Sequence, residues 1–250
     1  MRRRAIFLGL CVAATACIPA GNAPSDAGPA AKTAGFRPST GVMTAPFSDA
    51  FERPAATDGG SPPRPPNDLG PDWSSTAAPG VWRVEGGRLC GEHARNHGVW
   101  LNRVLPVNAR IEFEAVSYSN DGDLKAELWG DGRSSATGES YSNASSYLTI
   151  FGGWQNSMHV LARIDEHGKD RKHVQATAGG IGREKNVTSG RTYKFKVERT
   201  DGQTVRWLVD GAEIHTFTDH EPLAGMGHDH FGFNDWDAKV CFDNVKVTPL

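Results

Sequence analysis

From Phe47 onward, apolar and polar side chains alternate residue by residue in short runs, and turn-forming residues cut the runs apart. A period of two puts successive side chains on opposite faces of a strand, so each run can bury one face and wet the other. Residues 109–115 read Ala-Arg-Ile-Glu-Phe-Glu-Ala, and residues 123–129 read Asp-Leu-Lys-Ala-Glu-Leu-Trp. Further runs occupy 147–151, 159–164, 193–199, 205–209, 213–217 and 240–247. Between them stand Asn120-Asp121-Gly122, Gly130-Asp131-Gly132, Asp201-Gly202 and Asp210-Gly211. Asn-Gly and Asp-Gly pairs supply the positive φ that tight turns need. No amphipathic stretch of about ten residues reads as a helix. About ten to fourteen strands in ~200 residues predict an all-β chain, an antiparallel two-sheet β-sandwich over residues 46–250.

The first residues have a different texture. Arg2, Arg3 and Arg4 precede an apolar run from Ala5 to Ala14, too short to cross a hydrocarbon layer of ~30 Å. It has the length of a signal-peptide core. Ala14-Thr15-Ala16-Cys17 resembles a bacterial lipobox, in which Cys17 becomes diacylated, although Ala14 stands where Leu is usual. The alternative is a secretory signal cut after Ala23, which places Pro24 unfavourably beside the cut. The expected division is a lipoprotein signal peptide at 1–16, a disordered tether at 17–45 and the sandwich beyond. Ile18, and not Asp, follows Cys17. By resemblance to the Gram-negative sorting rule, this implies an exported outer-membrane lipoprotein of the cell envelope. Residues 18–45 are rich in Ala, Pro, Gly, Ser and Thr and bury too little surface to offset their ordering entropy. The Pro-rich patch Ser61–Asp68 reads as an exposed, extended loop.

The chain carries 27 Lys and Arg against 29 Asp and Glu. Cleavage before Cys17 removes three Arg and leaves 24 against 29, a net charge of −5. That balance offers no basis for a nucleic-acid partner, and contact with the membrane rests on the lipid anchor. Of the four Cys, Cys11 leaves with the signal peptide and Cys17 takes the lipid, so Cys90 and Cys241 remain for the folded part. In an oxidising compartment two such residues are expected to pair, two separate buried thiols being the alternative.

A family resemblance rests on spaced motifs. Phe47-Ser48-Asp49-Ala50-Phe51-Glu52-Arg53, Leu69-Gly70-Pro71-Asp72-Trp73 and Trp82-Arg83-Val84-Glu85-Gly86-Gly87-Arg88-Leu89 open the pattern, and Cys241-Phe242-Asp243-Asn244-Val245-Lys246-Val247 closes it. Together they resemble concanavalin A-like lectin/glucanase jelly rolls of the laminin-G and 3-keto-disaccharide-hydrolase-like kind, over about residues 47–250. The resemblance implies that the first and last strands lie side by side, bringing Cys90 within reach of Cys241. It also implies a structural calcium joining those strands, with Asp49 and Asp243 as metal ligands.

The chemistry is sought on the polar faces of the strands. Glu112 and Glu114 share one face, and Lys125, Glu127 and Trp129 share another. The short connection through Asn120-Asp121-Gly122 predicts a hairpin that gathers them. Arg163 and Asp165, with His159, form a third set on one strand face, and the charged stretch 162–171 reads either as a soluble loop or as an ion-pair network at a site rim. As a solvated outer face these groups need no function. As a concave face they make a sugar site, with Trp129 stacking on a ring and Lys125, Glu127, Arg163, Asp165 and Trp154 as carbohydrate-binding residues. Trp154 follows Gly152-Gly153 and reads as exposed; Trp100 reads as core and Trp236 as a stacking platform or lid.

For hydrolysis, the catalytic candidates are Glu112, Glu114 and Glu127. Glu112 and Glu114 are about 6.6–6.8 Å apart along a strand, within the range of an inverting pair. The Glu-x-Asp-x-Glu or Glu-x-Asp-x-x-Glu strand of laminarinase relatives is absent. His228 and His230 lack a third zinc ligand at a fitting spacing, and read as loop supports. Three readings result: a lipid-anchored envelope protein that binds a glycan or polysaccharide, a glycoside hydrolase or related sugar-cleaving enzyme, and an envelope structural or adhesion protein.

Overall fold

A computed structural model describes residues 41–53 and 68–250. The expected signal peptide 1–16, the expected lipidation site Cys17, the expected tether as far as residue 40 and all of the Pro-rich patch but Asp68 lie outside the described residues. The strands are β1 Phe47–Asp49, β2 Trp73–Ser75, β3 Trp82–Glu85, β4 Arg88–Gly91 and β5 Val99–Leu101. The long central ones follow: β6 Ala109–Ser117, β7 Leu124–Gly130, β8 Tyr147–Gly152, β9 Met158–Arg163 and β10 Lys172–Gln175. Last come β11 Thr192–Arg199, β12 Thr204–Val209, β13 Ala212–Thr218, β14 His230–Asn234 and β15 Val240–Pro249.

They form two antiparallel sheets. One has eight strands in the order β13-β12-β11-β6-β15-β4-β3, with β1 beside β15; the other has seven, β10-β9-β8-β7-β14-β5-β2. Ile111, Phe113 and Ala115 face the core from β6, and Leu124, Ala126 and Leu128 face it from β7, as the alternation predicts. The predicted hairpin does not form. β6 pairs with β11 and β15, whereas β7 pairs with β8 and β14 in the opposite sheet. The link between β6 and β7 crosses from one layer to the other, so both strands still turn their apolar faces inward.

β15 lies inside the eight-stranded sheet. It pairs with β6 on one side, and with β4 and β1 on the other. Cys241 stands opposite Cys90, and the two form a disulfide across a separation of 151 residues. An aromatic seam fills the space between the sheets. Phe233 of β14 stacks on Phe242 of β15 with centroids 3.9 Å apart, and Phe113 stacks on Phe195 at 4.7 Å. Offset and edge-on ring contacts of this kind add to the burial energy of the rings. At the other end of the seam, His159 of β9 is fully buried and stacks on Phe151 at 4.0 Å. Its Nδ1 accepts the Gly152 N–H at 2.9 Å, and its Nε2 lies 2.9 Å from the Lys185 carbonyl. Burial holds this imidazole down at about 4, against an ordinary value of 6.5.

Two outcomes are expected. Replacing Cys90 and Cys241 by Ser frees the unfolded chain from a long closed loop, and denaturant titration should record a loss of up to about 5 kcal/mol; an unchanged unfolding midpoint would contradict this. For His159, the unfolded ring gains its proton near pH 6.5 and the folded ring only near 4. The stability it allows is complete above 6.5 and is lost as pH falls towards 4. The stability difference between the native chain and His159→Asn should shrink by on the order of 3 kcal/mol across that window. A pH-independent difference would refute the assignment.

Candidate functional site

The core is closed, so chemistry is sought on the outer faces. On the outer face of the seven-stranded sheet, Leu148 and Ile150 of β8 and Val160 and Ala162 of β9 point away from the main core. Residues 131–146 fold over them, and Ala136, Tyr141 and Ala144 pack down as a second small core. Beside this cover the sheet is left open, and a cavity of about 760 Å³ forms there. Lys125 and Ile150 line it from the sheet, and the loops around 118–123, 153–155, 166–167 and 236–239 supply its walls.

Lys125 is 2% exposed, and its ammonium donates to Asn96 Oδ1 at 2.6 Å and to Glu166 Oε2 at 3.2 Å. Burial opposes the charge on Lys125, yet the carboxylates of Asp123, Glu166 and Asp235 together hold its pKa above the ordinary lysine value. Glu166 is held in place from behind by the Tyr141 N–H, 2.8 Å from Oε1. Asp123 precedes Lys125 by two residues and lies on the same wall, with its Oδ2 accepting the Trp236 N–H at 2.8 Å. Asp235 is fully buried beside them. Its Oδ2 accepts the Ala94 N–H at 3.3 Å, and its Oδ1 has no hydrogen-bond partner. Burial, and then the charge of Asp123, push the Asp235 carboxyl well above the usual carboxylate range.

Two tryptophans stand on the walls. Trp154 sits in a tight left-handed turn, with φ of 50°, 56° and 60° at Trp154, Gln155 and Asn156. The Asn156 side chain braces that turn. It donates to the carbonyls of Asn120 and Val187 and accepts the Val187 N–H. The Arg171 guanidinium lies over the Trp154 ring at 4.8 Å. Trp236 has the same arrangement, with Arg95 over its ring at 4.7 Å. Each ring thus has a cation holding it in place.

Several residues proposed from the sequence stand elsewhere. Glu127 does share the outer face with Lys125, but it is fully buried. Its carboxylate takes donors from Tyr141 Oη at 3.1 Å, Ser146 Oγ at 2.7 Å and Asn234 Nδ2 at 2.6 Å. Burial raises it to about 7 against the pull of those donors. It anchors the covering loop and does not line the cavity. Glu112 and Glu114 lie on the other sheet, facing solvent opposite Lys196 and Lys194, so neither can form a pair with Glu127. Trp129 points the other way, into the core. A register shift against β14 and a φ of 52° at Trp129 form a bulge, and a bulge breaks the two-residue period. The ring is fully buried, its Nε1 donates to the Pro106 carbonyl at 3.1 Å and Arg199 lies over it at 3.9 Å.

Arg163 is turned to Asp219, at 2.8 Å, and Asp165 closes its own loop through the His167 N–H. Neither lines the cavity. Asp49 has both carboxylate oxygens taken, by Arg53, the Phe51 N–H and Trp73 Nε1. Asp243 lies 3.8 Å from Arg88. Among the described residues no group of three His, Cys, Asp or Glu is arranged to hold a metal ion. His228 and His230 act as supports, His228 Nδ1 at 2.6 Å from the Ser145 carbonyl and His230 Nδ1 at 2.7 Å from Asp229. Asn96, Asp123, Glu166 and Asp235 were not singled out in the sequence. For Asp123 a signal existed, because the alternation extends back from Glu127 through Lys125 to Asp123.

No family model matches the sequence, and no curated protein does. Solved structures do match the fold. The chain is similar to a native glycosidic hydrolase, with a TM-score of 0.53, 10% identity, and 84% of this chain and 99% of that one covered. It is similar to an endo-acting O-glycanase of the human gut microbiota, with a TM-score of 0.52, 14% identity and coverage of 82% and 98%. A prokaryotic β-1,3-1,4-glucanase (lichenase) derived from a mouse hindgut metagenome gives 0.52, 10% identity and coverage of 82% and 100%. At such identities the likeness is one of fold: an antiparallel two-sheet jelly-roll β-sandwich like that of the lichenase.

Proposed function

We propose that this jelly roll binds a carbohydrate in the cavity on the outer face of its seven-stranded sheet. The observation that carries the reading is the pairing of two half-buried tryptophans, Trp154 and Trp236, with a polar floor of Lys125, Asn96, Glu166 and Asp123. Sugar rings present apolar faces that stack on aromatic rings, and hydroxyls that need donors and acceptors at fixed positions. Lys125 uses two of its three N–H groups within the protein, which leaves one for a ligand oxygen. The covering loop and its small core hold this floor in shape before any ligand arrives, and such preorganisation lowers the entropy cost of binding. That glycan-acting proteins share the fold supports the reading without identifying the glycan.

Binding fits the geometry better than hydrolysis does. Of the three acids that the sequence put forward for hydrolysis, Glu112 and Glu114 are on the wrong sheet and Glu127 is sealed beneath Tyr141. We further propose that the domain is held at the outer membrane through a lipid on Cys17. This rests on the basic, apolar and small-residue sequence of residues 2–17.

Two measurements test these readings. Calorimetric titration with a bound glycan should show Trp154→Ala and Trp236→Ala each weakening affinity by about tenfold or more, with melting temperatures near that of the native chain. Unchanged affinity in both variants would remove the cavity from consideration. Metabolic labelling with palmitate should mark the native chain and not Cys17→Ser. Label retained in the variant would sink the anchor.

A further inference from the structure

The cavity carries a charge imbalance that binding a neutral sugar does not require. Glu92, Asp121, Asp123, Glu139, Glu166 and Asp237 stand on its wall, against Lys125 and Lys239. The cations nearby are already engaged. Arg95 pairs with Asp237 at 2.6 Å while covering Trp236, and Arg171 donates to the Glu166 carbonyl while covering Trp154. Lys125 is bonded to Glu166, and Lys239 lies 3.5 Å from Glu85. At the rim, Asp121 and Glu139 are exposed, and neither forms an ion pair among the described residues.

A recess with walls of one sign concentrates counter-charge, because the low-dielectric walls focus the field. Aromatic faces act in the same direction, since a cation near a ring face is attracted by its quadrupole. A sugar carboxylate or sulfate would meet both effects with the wrong sign. Resting on the carbohydrate-binding reading, we propose that the cavity selects a glycan bearing free, protonated amino groups. In that complex Asp121 and Glu139 pair with the ammonium groups at the rim, and the tryptophans hold the sugar rings.

The test compares three tetrasaccharides by calorimetry with the full chain at about pH 6: glucosamine, N-acetylglucosamine and galacturonic acid. The glucosamine tetramer should bind about tenfold or more tightly than its acetylated form. Raising the salt from about 20 to about 300 mM should shrink that advantage, because the Debye length shortens. The Asp121→Asn, Glu139→Gln double variant should lose most of the salt-sensitive part while melting like the native chain. Equal or tighter binding of the acetylated or acidic tetramer overturns the inference and leaves the carbohydrate reading standing. Binding of none of the three overturns both.

Discussion

A buried carboxylate sets the conditions for the rest of the site. Glu127 projects from the middle of β7 away from the core, at a point where no water reaches it. An unpaired charge there would cost several kcal/mol, so the fold must bring donors to it. It does so from three directions: Tyr141 and Ser146 from the covering loop, and Asn234 from the end of β14. The consequences run outward. Once Tyr141 is fixed by its hydroxyl, its backbone N–H fixes Glu166. Glu166 fixes Lys125, and Lys125 holds Asn96. The floor of the cavity is therefore one connected network, whose members are satisfied by each other.

The wall differs from the floor in how tightly it is specified. Lys125 and Glu166 are buried and mutually bonded, so removing either leaves an uncompensated charge. Asp121 and Trp154 stand on turns whose backbone is braced independently of them, through Asn156 and the main chain of Asn120 and Val187, and the turn that carries Glu139 is closed by the Asn143 side chain, which accepts the Thr137 N–H and donates to the Ser135 carbonyl. Such an arrangement separates stability from recognition. Floor residues cannot change without disturbing the loop cover, while rim residues can vary and retune what is bound.

Much of the fold was legible in the alternation, because a half-buried strand needs one apolar face. Ile111, Phe113 and Ala115, and Leu124, Ala126 and Leu128, were assigned to the core by period alone and lie there. The errors have local causes. A short connection suggests a hairpin, but a sandwich also satisfies it by crossing between layers, so β6 and β7 separated. A period of two predicts nothing across a bulge, and one residue with positive φ sent Trp129 inward. Lys125 and Glu127 were correctly given a common face, but a strand pattern cannot reveal what a loop will lay over it. Tyr141, which seals Glu127, comes from a stretch without periodicity. Asn96, Glu166 and Asp235 arrive from separate loops and meet only in the folded chain.

The placement of β15 has a consequence for timing. Its partners β4 and β6 cannot close the eight-stranded sheet around a gap, and the residues that fill the gap are translated more than a hundred positions after β6. Pairings this distant in sequence carry a large loop-closure cost and form slowly. The eight-stranded sheet can therefore close only once its last strand has been made. The bond between Cys90 and Cys241 then locks that order of events into the fold, because its second sulfur arrives only with the strand that fills the gap.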